Sequence, residues 1–145
     1  MADLTSSSLT IDAPADRILQ VIADLPAYPQ WNGEIKGVEV LATERDGRPS
    51  QARFTLSSTG MTDEYTLEYV WTEDTVSWRL MAPSTLQKSQ VGSYRLSPAG
   101  AGTEVRYDLK IDAKIPMIGP MRRKIEKRIV DGALKELKKR VESLG

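Results

Sequence analysis

Tyrosines are the residues of this chain whose type and spacing best suit work on a small molecule. Tyr65, Tyr69, Tyr94 and Tyr107 stand at alternate positions of runs whose same-parity neighbours are apolar. A phenolic hydroxyl both donates and accepts hydrogen bonds, and among apolar walls it orients the carbonyl or hydroxyl of a bound molecule. The competing interpretation is that these hydroxyls bond to the backbone and the rings serve only as core.

Lys88 and Gln90 share the parity of Tyr94. Gln90 is therefore expected on the tyrosine face, where its amide could also contact a ligand. Lys88 lies close to a strand end, so we expect its ammonium group to extend to solvent while its stem packs.

The chain contains no histidine and no cysteine. This excludes disulfides, thiolate nucleophiles, Ser-His-Asp relays and nearly all transition-metal sites, which need imidazole or sulfur. Carboxylate pairs occur at Asp63–Glu64 and Glu73–Asp74, where turns are predicted, so we expect them to be solvated. The sequence predicts no catalytic residue, no metal site and no cofactor.

The elements that must position the tyrosines follow from the hydrophobic periodicity. A short polar-edged strand is followed by an amphipathic helix from Ala13 to Asp24, which starts at Pro14 and which Pro26 and Pro29 terminate. From Glu34 onward the period is two in six runs separated by turn residues, which is typical of an antiparallel meander. With the first strand, the sheet has seven strands.

A long helix is predicted from about Met117 to Leu144, and its apolar residues form two stripes about 100° apart. Gly132 marks the change from one stripe to the other and is costly in a helix interior. We expect the first stripe to face a cavity and the second to pack in the core. The first stripe contains Ile118, Met121, Ile125, Ile129 and Gly132, and the second contains Val130, Leu134, Leu137, Val141 and Leu144.

Three segments resemble the SRPBCC (START/Bet v 1-like) superfamily, in its polyketide cyclase/dehydrase and lipid-transport branch, and are closest to small actinobacterial members of unassigned function. These segments are IDAPADRILQVIADLPAYPQWNGEIKGVEVL, GSYRLSPAGAGTEVRYDL and PMIGPMRRKIEKRIVDGALKELKKRVESL. The resemblance covers essentially the whole chain. It implies an α+β helix-grip fold: a strongly curved seven-stranded antiparallel sheet wrapped around a long C-terminal helix, with two short helices after the first strand.

The resemblance also implies an apolar cavity between sheet and helix, and so binding or transport of a hydrophobic lipid, quinone or polyketide-like molecule. The alternative is a polyketide aromatase, cyclase or dehydratase that uses tyrosine, arginine or water. The expected ligand-binding residues share the inward parity or the first helix stripe; they are Phe54, Tyr65, Leu67, Tyr69, Trp78, Leu80, Gln90, Tyr94, Tyr107, Met121, Ile125 and Ile129.

Composition indicates one ordinary globular domain over residues 1–145, with 40% apolar and 28% charged residues. There is no signal-peptide pattern at Met1 and no stretch that could span a bilayer, so we expect a cytoplasmic protein without stable membrane insertion. The C-terminal helix is basic, which leaves open an interaction module that docks on an acidic partner or anionic lipid. Interleaved acids favour a solvated face, so nucleic acid is not expected as a partner. Oligomeric state does not follow from the sequence.

Overall fold

The computed structural model describes residues 4–58, 60–116 and 118–144. The predicted start of the long helix at Met117 lies outside the described residues. The elements are β1 (Thr5–Ile11), α1 (Ala15–Ala23), a 3-10 turn (Leu25–Ala27), α2 (Tyr28–Trp31), β2 (Ile35–Thr43), β3 (Pro49–Ser58), β4 (Met61–Trp71), β5 (Thr75–Leu80), β6 (Gln87–Ala99), β7 (Gly102–Ala113) and α3 (Gly119–Leu144).

The seven strands form one antiparallel sheet in the order β1-β7-β6-β5-β4-β3-β2. Strands β2 to β7 are sequential neighbours, while β1 crosses to the far edge and pairs with β7. Three register shifts interrupt the pairing of β2 with β3, and such irregularities bend a strand and increase its twist. The curved sheet, the two short helices and the long C-terminal helix confirm the predicted helix-grip fold.

Alternation along the strands separates two faces, and the face that looks toward α3 is called the inner face below. It carries Phe54, Leu56, Tyr65, Leu67, Tyr69, Trp71, Val76, Trp78, Leu80, Tyr94, Leu96, Val105, Tyr107, Leu109 and Ile111, all of them buried or half-buried. Cross-strand pairs such as Tyr69 with Trp78 and Tyr94 with Tyr107 show that these residues share one face. This agrees with the assignment from the sequence.

Helix α1 begins directly after Pro14, whose fixed backbone angle suits the position before a first helical turn. Its buried residues are Ile18, Val21 and Ile22. Leu25 in the following turn is also fully buried, as the period predicts. Pro26 lies in the 3-10 turn and Pro29 in α2, so both prolines fall in the segment that redirects the chain into β2.

Helix α3 lies mainly on β1 and β7, at one side of the sheet, with further contacts to α1 and α2. Its buried residues are Glu126, Val130, Leu134, Leu137 and Val141. The second predicted stripe is therefore the packing stripe, apart from Leu144 at the helix end, which is exposed. The first stripe does not form a continuous wall of an enclosed cavity. Ile118, Met121 and Ile125 are exposed, and of its isoleucine and methionine residues only Ile129 packs partly against the core.

A buried carboxylate fastens α3 to both strands. Glu126 is 1% exposed, and its Oε1 accepts a hydrogen bond from the Thr5 hydroxyl at 2.6 Å while its Oε2 accepts one from the Ile111 backbone N–H at 2.7 Å. The described pairing of β1 with β7 begins at Thr5 and Leu109, so Ile111 lies outside the described pairs of these two strands. Glu126 supplies an acceptor for this N–H, and buried N–H groups need one.

In the described parts of the chain, no helix combines the length and the apolar character needed to cross a bilayer.

Two glycines provide a test of the packing. A Cβ at Gly132 would meet nothing within 4 Å, so we expect Gly132→Ala to raise the free energy of unfolding by about 1 kcal/mol through helix propensity. A Cβ at Gly92 would lie 2.5 Å from Cζ2 of Trp78, so Gly92→Ala should destabilise by about 1–3 kcal/mol. Equilibrium urea unfolding measures both changes. A loss of stability in Gly132→Ala would contradict the open surroundings of that position.

Candidate functional site

An almost continuous layer of aromatic rings covers the inner face. The Tyr94 and Tyr107 rings are 4.6 Å apart, and Trp78 lies 5.4 Å from Tyr94 and 5.6 Å from Tyr107, between centroids. Tyr69 lies 5.9 Å from Trp78 and 5.9 Å from Trp71. Such tilted or offset pairs add stability beyond their buried area.

A second aromatic group joins the sheet to the short helices. Phe54 stacks on Tyr65 at 5.5 Å, and Tyr28 lies 6.2 Å from Phe54 and 4.8 Å from Trp31. The Tyr28 hydroxyl donates to the Ile22 carbonyl at 2.6 Å. The aromatic residues after the first helix therefore close one end of the core, where the chain turns into β2.

Four tyrosine hydroxyls on the inner face have no hydrogen-bond partner among the described residues: those of Tyr65, Tyr69, Tyr94 and Tyr107. The side-chain polar atoms that are both sealed from solvent and without a hydrogen bond in that part of the chain are Trp31 Nε1 and Arg122 Nη1, and the latter lies 3.6 Å from Glu126 Oε2 in an ion pair. The four tyrosine hydroxyls are not among these fully enclosed atoms. The alternative in which these hydroxyls bond to the backbone does not hold.

Burial keeps the tyrosines neutral. Loss of hydration is the largest influence on the pKa of each of the five tyrosines of the chain, and it raises all five above the ordinary value. Neighbouring hydroxyls raise the pKa of Tyr69 further, through Tyr65, Tyr94 and Tyr107, whereas the carboxylates of Asp63 and Glu34 do so for Tyr65. The Tyr94 and Tyr107 rings, 4.6 Å apart between centroids, are the pair of tyrosines in direct contact on this face. The inner face therefore offers several neutral donors and acceptors in one place.

Two carboxylates stand near the same hydroxyls. Glu136 of α3 contributes to the raised pKa of Tyr94. The pKa of Glu136 is itself raised, chiefly by loss of hydration and then by Glu34, although a hydrogen bond from the Gly33 backbone opposes this. Negative charge thus lies where the loop before β2 meets α3.

A chain of polar side chains crosses the inner face. Trp78 Nε1 donates to Gln90 Oε1 at 3.0 Å, and Gln90 Nε2 donates to Gln87 Oε1 at 2.7 Å. Gln87 Nε2 in turn donates to Asp63 Oδ2 at 3.3 Å. Ser84, in the loop between β5 and β6, donates to the same oxygen at 2.7 Å. This chain holds the indole of Trp78 in one orientation and ties it to the loop.

Asp63 corrects an expectation from the sequence. The prediction that it is a solvated turn residue is wrong, because it is 4% exposed and lies on β4. Its Oδ1 also accepts the Glu64 backbone N–H at 3.0 Å. Both oxygens are therefore engaged, which leaves Asp63 poorly placed to take a proton from a ligand. Asp63 is two residues before Tyr65, so the period-two alternation could have placed it on the same face of the sheet.

A register shift between Gln87 and Ser89 turns Gln87, for which the sequence made no prediction, into the core. The shift lets Gln87 and Gln90, which are three residues apart, both point to the inner face. Lys88 is exposed. Sequence parity alone could not locate the bulge, so Gln87 was missed.

The predicted ligand-binding residues separate into three groups by exposure. Phe54, Leu67, Tyr69, Trp78, Leu80, Gln90, Tyr94 and Tyr107 are buried, Tyr65 and Ile129 are half-buried, and Met121 and Ile125 are exposed. The strand residues thus lie together on the inner face. The helix residues Met121 and Ile125 face solvent in this structure, although they lie on the same side of α3 as Ile129.

Two surface depressions lie outside the tyrosine layer, although Trp78 and Gly92 also line the first of them. One of about 330 Å³ is on the outer face of the sheet between Val70, Ser77 and Val91, and another of about 260 Å³ lies between α1, α2 and the end of α3. Neither is lined by a tyrosine of the inner face. No group of three or more acidic side chains among residues 4–58, 60–116 and 118–144 is arranged to hold a metal ion.

Comparisons with known proteins agree with the architecture. The family described as "Polyketide cyclase / dehydrase and lipid transport" matches residues 1–142. A START superfamily protein from Mycobacterium smegmatis is 30% identical, with a TM-score of 0.91 over 99% of this chain and 100% of that chain. No curated protein matches the chain.

Two more distant structures share the fold. A protein of Thermus thermophilus is 23% identical, with a TM-score of 0.81 over 98% of this chain and 99% of that chain. The Zhui aromatase/cyclase from a Streptomyces species is 16% identical, with a TM-score of 0.73 over 96% of this chain and 93% of that chain.

The tyrosines provide a pH test of the site. An unfolded tyrosine titrates near pH 10, and the folded pKa values are higher. Their contribution to stability is therefore complete below about pH 10 and is lost as the pH rises through the folded pKa values. We expect the free energy of unfolding in urea to fall between about pH 10 and pH 12. Tyrosinate absorbance should appear together with loss of circular dichroism.

The control is the protein in concentrated urea, whose tyrosines should titrate as free phenols. Four of the five tyrosines are buried and Tyr65 is half-buried, and burial raises the pKa of all five, so no fully exposed phenol contributes a background. Tyrosinate absorbance near pH 10 in protein with intact circular dichroism would contradict their burial.

Proposed function

The chain belongs to the polyketide cyclase/dehydrase and lipid-transport family of the SRPBCC superfamily, and from that premise we propose that it binds and carries an uncharged, oxygen-bearing apolar molecule between the inner face of its sheet and α3. The observation that carries the proposal is the set of four unpartnered tyrosine hydroxyls. A polar group in an apolar setting without a partner costs free energy. A ligand whose carbonyl or hydroxyl oxygens meet these groups recovers that cost.

The charges around the site support an uncharged ligand. The inner-face positions of β3 to β7 carry no lysine or arginine in the described residues. The carboxylates that raise tyrosine pKa values on this face, Asp63, Glu34 and Glu136, would repel an anion. A free fatty acid would need its carboxylate either paired or left in water. A quinone or polyketide-like molecule needs neither, because its oxygens are neutral acceptors.

Entry of a ligand requires movement. The aromatic side chains of the inner face other than Tyr65 are less than 9% exposed, so a bound molecule must separate them or displace α3 from them. The helix packs chiefly on β1 and β7, and the side of α3 that carries Ile129 and Ala133 packs only partly against the core. We therefore place the entrance along that side of α3.

Cyclase chemistry is the alternative. It needs a general base or acid close to an acidic C–H bond. On the described inner face, the buried carboxylate is Asp63, whose oxygens are occupied by Ser84, Gln87 and the Glu64 amide. The tyrosines remain protonated because their pKa values are raised, and a neutral phenol is a weak base. These features favour binding over catalysis.

A steric pair tests the location of the site. Ile129→Trp should fill the space beside α3 and abolish binding of the uncharged dye Nile red, with little change in melting temperature because Ile129 is only partly packed. Leu137→Trp is the matched control: Leu137 is fully buried, so overpacking should destabilise by about 1–3 kcal/mol. Dye fluorescence and thermal unfolding measure the two effects. If both variants melt early and neither loses dye binding selectively, the ligand site does not lie beside α3.

A ligand pair tests the chemistry. Menadione, an uncharged quinone, should displace Nile red at lower concentration than palmitate. The double change Tyr94→Phe and Tyr107→Phe should weaken menadione binding by about 5-fold to 100-fold, since each neutral hydrogen bond contributes about 0.5–1.5 kcal/mol, and should leave Nile red binding nearly unchanged. Tighter binding of palmitate would contradict an uncharged ligand.

The same double variant addresses the enzyme alternative. If the unmodified protein cyclises a poly-β-ketone surrogate and the variant loses about 10²-fold or more of that turnover, as expected for removal of a general acid, the purely binding role is wrong. Absence of turnover in the unmodified protein removes the enzyme interpretation for that substrate class.

A further inference from the structure

One end of the molecule exposes a group of large apolar side chains, called the apolar tip below. It consists of Met61, Met81, Ile115, Ile118 and Met121, which are 43%, 42%, 55%, 69% and 50% exposed. Exposed apolar side chains scattered singly are ordinary, but a contiguous group usually marks an interaction surface. The tip therefore needs an explanation.

The sheet topology brings these residues to the same end. Met61 begins β4, Met81 follows β5, and Ile115 lies between β7 and α3. In an antiparallel sheet the start of β4 and the ends of β5 and β7 lie on one side. Two contacts join the loops there: the Ser84 hydroxyl bonds to Asp63, and the Lys114 backbone N–H bonds to the Leu86 carbonyl at 2.9 Å.

Cations surround the tip. The segment 114–128 contains six lysines and arginines and one acid, Glu126, which is buried. The side chains of Lys114, Arg123, Lys124 and Arg128 are exposed and form no ion pair or hydrogen bond with another described residue. These charges are available to a partner.

The position of the charges on α3 adds a second observation. The first turn of α3 contains no acidic residue. Arg122 pairs with the buried Glu126 at 3.6 Å, but Arg123 and Lys124 follow without an ion pair among the described residues. A helix N-terminus carries a partial positive charge, so cations there oppose the dipole and cost stability. An anionic surface at this end would relieve both the dipole and the uncompensated side chains.

We propose that the apolar tip and its cations dock the protein on an anionic membrane surface, with the isoleucine and methionine side chains inserted at the headgroup level. Interfacial binding of this kind combines a shallow apolar contact with lysine and arginine at the phosphates. A nucleic acid would not use exposed isoleucines. A second copy related by a two-fold axis would bring the same cations face to face, which is repulsive.

This surface goes beyond the proposed ligand binding and does not depend on it, because the membrane contact forms with protein surface alone. It lies at the N-terminal end of the helix side where we place the ligand entrance. Docking there would let an apolar molecule pass between bilayer and cavity with little exposure to water.

Co-sedimentation of the full chain with vesicles tests the proposal. We expect binding to equimolar phosphatidylcholine and phosphatidylglycerol at low salt, weaker binding as salt rises, and little binding to phosphatidylcholine alone. Arg123→Glu with Lys124→Glu should reduce the partition coefficient by at least about 30-fold. Ile118→Ser with Met121→Ser should reduce it by about 10-fold or more.

Matched controls keep the test specific. Lys135→Glu with Lys139→Glu makes the same charge change further along α3, at about 1.5 Å per residue, and should change the partition by less than about 3-fold because distant charges are screened. Leu41→Ser with Val70→Ser removes two other exposed apolar side chains and should have no effect. Unchanged circular dichroism and melting temperature verify that every variant is folded.

Three results would overturn the proposal: no vesicle binding at low salt, equal losses in the tip variants and the controls, or tight binding to uncharged vesicles. If Ile118→Ser with Met121→Ser leaves vesicle binding intact but lowers the oligomeric state in sedimentation, the tip is a contact between copies of this chain instead. If the unmodified protein binds vesicles but does not bind menadione, the proposed function is wrong and the membrane proposal stands.

Discussion

The attachment of α3 to β1 and β7 is the constraint on which the rest of the structure depends. An apolar stripe packs against these strands, and the Glu126 carboxylate bonds to Thr5 on β1 and to the backbone of Ile111 on β7. A buried carboxylate with two short hydrogen bonds has little freedom to shift, because any other position would leave it unpaired. The helix is therefore held at one side of the sheet. The remaining inner face is left to aromatic side chains.

Those aromatic side chains give the inner face its chemical character. The rings bury large areas and pack on one another, while the hydroxyls of Tyr65, Tyr69, Tyr94 and Tyr107 stay without partners among the described residues. Burial raises their pKa values, so they remain neutral over the physiological range. A surface of this kind can form hydrogen bonds with neutral oxygen atoms of a ligand, and it disfavours anions. Family and fold support hydrophobic ligand binding or a polyketide cyclase-type role, and this local chemistry is the basis on which we propose binding.

The two ends of α3 serve different purposes. The half from Val130 to Val141 is part of the core, whereas Ile118, Met121 and Ile125 in the other half contribute little to it. Residues that contribute little to packing are free to meet something outside the molecule. Their position beside the cationic helix start places that contact next to the region where a ligand would enter.

The period-two alternation determined the strands and the inner face, because the face on which a strand residue lies depends on its immediate neighbours. The two stripes of α3 could also be predicted from local sequence, since helix geometry sets their angular positions. Which of the two stripes is buried could not be predicted from neighbouring residues in the sequence. It depends on where α3 lies on the sheet, and Glu126 contributes to that placement through residues 121 and 15 positions away in sequence.

Tertiary structure also decided the polar groups of the site. A register shift between Gln87 and Ser89 turns Gln87 inward and Lys88 outward. Asp63 became a buried acceptor because a distant loop brought Ser84 to it. Periodicity describes a regular element, so it cannot report a bulge or a contact between separate segments. By itself, the sequence determined the fold and the aromatic wall; the tertiary structure decided which polar groups are engaged, which are free, and which apolar residues remain at the surface.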